Sequence, residues 1–303
     1  MKYVITGGAG FIGSNIVDEL INTNHEVIVI DNFSAGSKEN CNNKAKYYHY
    51  DISDSKNIPK FIEIFKGVDT IFHCAAVARV QPSIKDPIFY EKNNTMGTLN
   101  ILKSAVEAGV KKIVYSSSSS VYGDTKILPV KEDAPKNPLS PYGAQKYYGE
   151  ILCKTFSSIY DIQTISLRYF NVYGEKQSVD GAYALVIGIF MYQKFNNLPI
   201  TIRGDGSQKR DFTYVGDVVH ANILAAQSKR KFQGVVVNIG NGDNKSVNDI
   251  AQAIGGKTTH VEHVIEPKET LADNRLAKKI LGWKPTTNVI DWINNYLNIK
   301  RKT

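Results

Sequence analysis

The sequence predicts an α/β protein: a doubly wound parallel sheet joined to a smaller, mixed α/β C-terminal lobe. Three observations predict it. Strand and helix signals alternate up to about residue 170, as a parallel sheet with right-handed crossovers requires. The run Glu-Val-Ile-Val-Ile-Asp at 26–31 is continuously β-branched, which suits a strand covered on both faces. The first strand signal runs directly into the glycine turn Thr6-Gly7-Gly8-Ala9-Gly10-Phe11-Ile12-Gly13, and helical spacing follows it.

Lys2–Thr6 is short and apolar, and Phe11–Asn24 sets Ile12, Ile16, Val17 and Leu20 on one helical side. Strands are expected at Glu26–Asp31, Lys46–Tyr50, Thr70–His73 and Lys112–Ser116, with helices at Ile58–Phe65 and Phe89–Glu107 between them. A long helix over Pro141–Tyr160 and a strand over Gln163–Arg168 continue the rhythm. Beyond it, Gly174–Ala182 and Arg203–Lys209 read as loops. Tyr183–Phe195, Val215–Ser228 and Val247–Ala253 read as helices, and Val235–Ile239 as a buried strand. The expected division is a first domain at 1–170, with segments near 213–240 returning to it, and a lobe at 171–303.

The chain has 303 residues, 42% hydrophobic and 22% charged, an ordinary globular composition. Its 37 basic and 29 acidic residues leave a formal charge of +8. That surplus is scattered; only Lys229-Arg230-Lys231 and Lys300-Arg301-Lys302 are dense. A phosphate-bearing ligand fits it better than nucleic acid. Cys41, Cys74 and Cys153 are far apart and odd in number. Neither a disulfide framework nor a metal site is expected, and a cytoplasmic setting is. The apolar start, Tyr3-Val4-Ile5, is too short for a signal peptide. The longest apolar stretch, Ala182 to Tyr192, is shorter than the roughly 20 residues of a membrane span and reads as a buried helix.

The glycine turn is built like a seat for a dinucleotide pyrophosphate. Gly7 permits a tight turn, Gly10 clears space for the anion, and Gly13 lets the helix approach the sheet. The helix start then offers free N–H groups. A plain strand-to-helix joint has the same residues. Asp31 lies 18 residues beyond Gly13 at a strand end, where an acid binds the adenosine ribose hydroxyls and repels a 2′-phosphate, favouring NAD over NADP. Asp51 ends the third strand and suits the adenine amino group, or a simple turn.

Tyr142 and Lys146 stand at i and i+4 in Tyr-Gly-Ala-Gln-Lys, on one helical face. A phenol near 10 must fall by about three units, roughly 4 kcal/mol, to act as a base at neutral pH. A neighbouring ammonium and a positive nicotinamide ring would lower it. Alone, the pair reads equally as a surface contact. The serine run Ser116–Ser120 follows a strand, at the sheet edge that carries ligands; it is a donor of hydroxyls or merely a polar loop.

Taken in order, these segments resemble the extended short-chain dehydrogenase/reductase superfamily, and within it the nucleotide-sugar 4-epimerases. Further landmarks are Asp31-Asn32, Asp51-Ile52, His73-Cys74-Ala75-Ala76, Asn93 to Thr98, Arg168-Tyr169-Phe170-Asn171, Gln208 to Phe212 and Leu281 to Pro285. The resemblance covers essentially the whole chain. It implies a Rossmann domain whose NAD site is lined by Gly7, Gly10, Phe11, Ile12, Gly13, Asp31, Asn32, Asp51, Ile52, Ala75, Ala76, Asn93, Ser116, Tyr142, Lys146 and Tyr169. It implies Ser118 as the catalytic hydroxyl, Tyr142 as the base and Lys146 as its modulator. Asn171 and Arg210 would hold a UDP diphosphate, unless Arg210 is instead paired with Asp211 or Asp217. Thr270 and Asp273 would complete the substrate site.

The segment Glu266 to Asp273 departs from the pattern: it is shortened, and Lys268 stands where relatives often carry an arginine. No acid lies in Ser118-Ser119-Ser120, whereas related dehydratases and decarboxylases carry one. The expected reaction is therefore reversible 4-epimerisation of a UDP-hexose on tightly bound NAD. Other enzymes of the scaffold, or a silent NAD-binding protein, are the alternatives. The resemblance places Thr270 beside the sugar's C2 substituent, where a small residue leaves room for an N-acetyl group, so UDP-N-acetylglucosamine is expected beside UDP-glucose. By the same resemblance the chain pairs through the helices at Phe89–Glu107 and Pro141–Tyr160 into a homodimer.

Overall fold

The β-branched run at 26–31 has two apolar faces to bury, and the structure buries both inside a seven-stranded parallel sheet. The structure is a computed structural model that describes residues 1–178, 185–263 and 266–300. In chain order the strands are β1 (Lys2–Thr6), β2 (Glu26–Asp31), β3 (Lys46–His49), β4 (Thr70–His73), β5 (Lys112–Ser118), β6 (Gln163–Tyr169), β7 (Val172–Tyr173), β8 (Ile200–Arg203), β9 (Lys209–Arg210), β10 (Thr213–Tyr214), β11 (Gln233–Ile239), β12 (Lys245–Ser246) and β13 (Thr258–Val261). The helices are α1 (Phe11–Asn22), α2 (Ile58–Phe65), α3 (Val80–Lys85), α4 (Pro87–Glu91), α5 (Gly97–Glu107), α6 (Pro141–Ile159), α7 (Val186–Phe195), α8 (Val215–Gln227), α9 (Val247–Ile254), α10 (Arg275–Leu281) and α11 (Val289–Lys300).

The main sheet runs β11-β6-β5-β4-β1-β2-β3. One face is covered by α1, α8 and α10, whose Ile16, Val17, Leu20, Val218, Ala221 and Leu281 meet Ile5, Val29 and Ile165. The other is covered by α2, α5 and α6, through Phe61, Phe65, Ile101, Leu102 and Cys153 against Val4, Ile71 and Ile113. Helices on both faces of a parallel sheet make the doubly wound arrangement. A separate core, including Phe190, Ile200, Ile250, Trp292 and Ile293, holds the smaller lobe together. There the strands pair only in twos: β7 with β10, β8 with β13, and β9 with β12.

Several boundaries move for local reasons. Helix α1 stops at Asn22, because Asn24 turns left-handed at φ +60 and its N–H closes on Ile21 O, an asparagine exit from a helix. Strand β5 runs on to Ser118, so Ser116 to Ser118 belong to the sheet and not to a loop. The helix expected at Phe89–Glu107 begins at Pro87, where Asp86 caps Phe89 N–H, and it contains a π-helical stretch at Lys92–Met96. Helices α3, α10 and α11, strands β8 and β13 and the two-residue strands are additions to the expected set, and β8 and β9 take Arg203 and Lys209 from the ends of the loop expected between them. Residues 183–184 of the helix expected from Tyr183, the end of the loop expected at Gly174–Ala182, and Arg301 and Lys302 lie outside the described residues. No helix among the described residues is long and apolar enough to cross a membrane.

Two buried polar clusters fix the part of the fold that matters for chemistry. Helix α6 starts on Pro141, with Ser140 Oγ accepting from Gly143 N–H. It is held to the sheet by Glu150, which receives Arg168 Nη2 at 2.7 Å, Arg168 Nε at 2.8 Å and Ser117 Oγ at 2.5 Å. Arg168 also donates to Tyr122 Oη at 2.6 Å, and the ion pair is 1% and 3% exposed. In the second cluster His73 lies between Thr6 Oγ1 at 2.7 Å and Thr98 Oγ1 at 3.0 Å. Thr98 gives its proton to Asn94 O, so Nε2 of His73 carries the ring proton and Nδ1 accepts from Thr6. Asn94 in turn clasps both Val77 backbone groups and Gln145 Oε1 on α6.

Removing one partner of a buried ion pair leaves the other charge uncompensated. Glu150→Gln is expected to lower the unfolding free energy by about 3 kcal/mol in urea titrations. Burial, assisted by the Lys146 charge, holds the His73 imidazole down to about 3 from an ordinary 6.5. The unfolded chain therefore binds a proton below pH 6.5 that the folded chain refuses until about 3. The stability due to neutral His73 is complete above pH 6.5 and is lost as pH falls toward 3, at about 1.4 kcal/mol per pH unit. Melts of wild type and His73→Gln across this window check it: the variant lacks that slope.

Candidate active site

The carboxyl ends of β1, β2, β4 and β5 open onto one cleft of about 1180 Å³, whose far wall is the smaller lobe. Its floor is the glycine turn. Gly7 takes φ +73, and a Cβ there would stand 2.7 Å from Ala75 Cα. A Cβ on Gly13 would stand 2.2 Å from Gly7 O, so the helix start cannot carry a side chain at that point. Helix α1 begins at Gly10 without a side-chain cap, which leaves its first N–H groups to an anion. Gly10, Phe11, Ile12 and Gly13 all line the cleft.

Asp31 stands at the end of β2, where Oδ2 accepts from Ala9 N–H at 2.9 Å and Oδ1 from Phe33 N–H at 2.8 Å. Each oxygen keeps a further lone pair for a ribose hydroxyl. Asn32, Ile52, Ala75, Ala76 and Asn93 join the same wall. Asp51 does not: its carboxylate accepts from Ser53 N–H at 2.8 Å, and Tyr50 and Ile52 on either side of it form the wall. The residues present thus fit a dinucleotide on three counts: a turn so tight that Gly7 and Gly13 admit no Cβ, an uncapped helix start, and a carboxylate held toward the groove.

Tyr142, Lys146, Ser116 and Ser118 meet in the middle of this cleft. Burial pushes the Tyr142 phenol above its ordinary value, and the neighbouring Ser118 hydroxyl pulls it only partly back. The expected depression by Lys146 is not found in the protein alone. Lys146 Nζ donates to Ser116 O at 2.7 Å and lies 5.1 Å from the Tyr115 ring centre, and burial lowers it to about 8. Ser116 Oγ meets Tyr169 Oη at 3.0 Å and Cys74 Sγ at 3.2 Å. Tyr169 Oη donates to Asn222 Oδ1 at 3.0 Å, which sets the ring below the groove.

On the lobe side, Asn171 adopts φ +29 and donates through Nδ2 to Asp211 O at 3.1 Å and Thr270 Oγ1 at 3.2 Å. Thr270 Oγ1 also accepts from Asp211 N–H. Asp211 is a buried anchor for three backbone N–H groups, those of Asn241, Gly242 and Ala272. Burial pushes its carboxyl up to about 7 against their pull. Arg210 lines the cleft and is paired, with neither Asp211 nor Asp217, but with Glu266 at 2.7 Å. Asp217 instead holds Thr286 and Thr287. Lys268 is not a wall residue; its carbonyl accepts from Lys209 and Arg210, and its N–H donates to Asp124. Asp273 also lies off the wall, in a 2.5 Å pair with Arg275. Cleft residues given no site role from the sequence include Asn40, Arg79, Lys176, Arg203, Phe212 and Glu266. Of these, only Arg203 carries a readable signal, sharing one face of β8 with Thr201 by strand alternation.

Residues 3–240 match the model of the NAD dependent epimerase/dehydratase family. A putative UDP-glucose 4-epimerase of Methanocaldococcus jannaschii is 42% identical over 303 residues, covering 97% of each chain. The solved UDP-glucose 4-epimerase of Thermotoga maritima, with UDP-glucose, superposes at a TM-score of 0.94 with 35% identity over 100% of this chain and 99% of its own. A UDP-N-acetylglucosamine 4-epimerase of Methanobrevibacter ruminantium, in complex with UDP-N-acetylmuramic acid, gives 0.91 with 34% identity over 100% and 99%. With a glycine turn, a strand-end acid and a Tyr–Lys helix in one cleft, and with relatives matching along its whole length, this chain belongs to the NAD dependent epimerase/dehydratase family.

Proposed function

We propose that this protein catalyses the reversible 4-epimerisation of a UDP-hexose, with UDP-N-acetylglucosamine/UDP-N-acetylgalactosamine and UDP-glucose/UDP-galactose both within its range. The observation that carries this reading is the meeting of Ser118, Tyr142 and Lys146 at the dinucleotide seat, across one cleft from Arg210, Asn171 and Thr270. Bound NAD+ supplies the hydride acceptor and donor at sugar C4, and the positive ring charge beside the phenol.

The chain's own residues do the remaining work. Tyr142 Oη takes the proton from the sugar O4 and returns it after the sugar has turned. Ser118, beside Tyr142, holds O4 in line with the phenol. Lys146 has one donor committed to Ser116 O and keeps two more for the nicotinamide ribose. Because burial raises the phenol in the protein alone, its activation depends on positive charge brought by the cofactor. Arg210 is held at the wall by Glu266 and offers its remaining edge to the diphosphate. The diphosphate then serves as the pivot about which the sugar rotates.

Thr270 supports the wider sugar range. Its hydroxyl oxygen accepts from Asn171 and from Asp211 N–H, so the wall there is a short side chain whose own proton is left to donate. The absence of an acid in Ser118-Ser119-Ser120 argues against elimination at C5. We also infer a homodimer: Ile84, Ile88, Phe89 and Met96 stand exposed beside the exposed Tyr148, Ile151 and Ile159 of α6, an apolar face that a second copy would cover.

The test is separate incubation with UDP-N-acetylglucosamine and UDP-glucose, followed by chromatography of the C4 epimers. Wild type is expected to interconvert both pairs without consuming added reduced cofactor. Tyr142→Phe is expected to lose about a thousandfold in turnover while retaining NAD. Near-normal turnover in that variant, or net consumption of reduced cofactor by wild type, would overturn the reading.

A further inference from the structure

A short segment from the smaller lobe crosses the cofactor side of the cleft. After β7 the chain turns at Gly174, φ +138, where a Cβ would lie 2.6 Å from Val215. Glu175 O then accepts from Asn15 Nδ2 on α1 at 3.0 Å. The Glu175 carboxylate is anchored from behind by Tyr214 Oη at 2.8 Å and Trp292 Nε1 at 3.1 Å. Lys176 follows in a left-handed conformation, φ +63, which costs a non-glycine residue about 1 kcal/mol. Its ammonium compensates with two contacts: Asp18 Oδ2 on α1 at 2.5 Å and Asn40 O at 3.3 Å. Asp18 is itself oriented by Asn42 Nδ2 at 2.8 Å.

The far end of this bridge also belongs to the seat. Asn40 Nδ2 donates to Ala9 O at 3.1 Å, and Ser37 N–H donates to the same carbonyl at 3.0 Å. The glycine turn, the 34–40 loop, α1 and the 174–177 segment therefore form a closed ring of contacts. Lys176 lines the cleft together with Gly10 to Gly13 and Asn40, so the ring borders the mouth of the pyrophosphate seat.

We propose that the Lys176–Asp18 pair is a clasp that retains the dinucleotide, so that bound NAD leaves only when the 174–177 segment lifts from α1. This deepens the cofactor half of the proposed function and is independent of which sugar is turned over. The pair is partly exposed, at 27% and 34%, so a modest effect is expected, about fivefold in release rate.

The test uses the NAD+-loaded protein with no sugar present. Release of NAD+ is followed by filtration and chromatography after dilution into excess ADP-ribose as a trap. Asp18→Asn and Lys176→Met are each expected to release NAD+ about fivefold faster, and the double variant no faster than either single one. Lys176→Arg, which keeps the charge, is expected to release at the wild-type rate. Wild-type release in both single variants, or effects that multiply in the double variant, would overturn the clasp. So would a single variant that folds but cannot be loaded, because the pair would then build the seat and not close it. Failure here leaves the epimerase reading standing, and a protein that holds NAD+ through this clasp without turning over either sugar would separate the two in the opposite sense.

Discussion

The site depends on how α6 is seated against β5 and β6. Tyr142, Lys146 and Glu150 recur every four residues and so share one helical face. Glu150 is bound by Arg168 and Ser117 in the buried layer, Lys146 by the Ser116 carbonyl, and Gln145 by Asn94. What fixes the helix therefore also fixes the phenol. Strand β5 contributes at each level, supplying Ser116, Ser117 and Ser118 in succession to the lysine, the glutamate and the tyrosine. The ion pair is costly to desolvate, and its value is positional: it gives a long helix one register on the sheet.

The charges around the phenol follow from burial. Burial holds His73 neutral with help from the Lys146 charge, lowers Lys146, and raises Tyr142 and Tyr169. Near neutral pH the protein alone thus leaves Lys146 as the charged member of this group and the phenol protonated. A further positive charge placed beside that phenol would be weakly screened there and would lower it strongly. On the lobe side, Glu266 holds Arg210 in place at the cleft wall.

Much of this was legible in the sequence because the relevant signals are local. The glycine turn, Asp31, and the Tyr142/Lys146 spacing each combine a backbone demand with a residue type that meets it. Helix α11, absent from the expected set, also carries its pattern openly, with Val289, Trp292, Ile293, Tyr296 and Leu297 on one face. Other features had no local signal. Helix α10 is seven residues long, too short for periodicity to register, and two-residue strands have none. The Arg210–Glu266 and Lys176–Asp18 pairs join residues far apart in the chain. Asp51 and Asp273 show the reverse problem: an acid at a strand or segment end suits a ligand and a turn equally, and here each is engaged by its immediate neighbours.

The most direct test of the account follows one hydrogen atom. If Tyr142 exchanges only the O4 proton while C4 gives up and regains hydride inside the same closed cleft, UDP-glucose carrying deuterium at C4 must yield UDP-galactose with the deuterium still at C4, in ordinary water and without added cofactor. Mass spectrometry and proton spectra of the product read this directly. Loss of the label to solvent would mean that the carbon is handled by proton chemistry, and the account would be wrong.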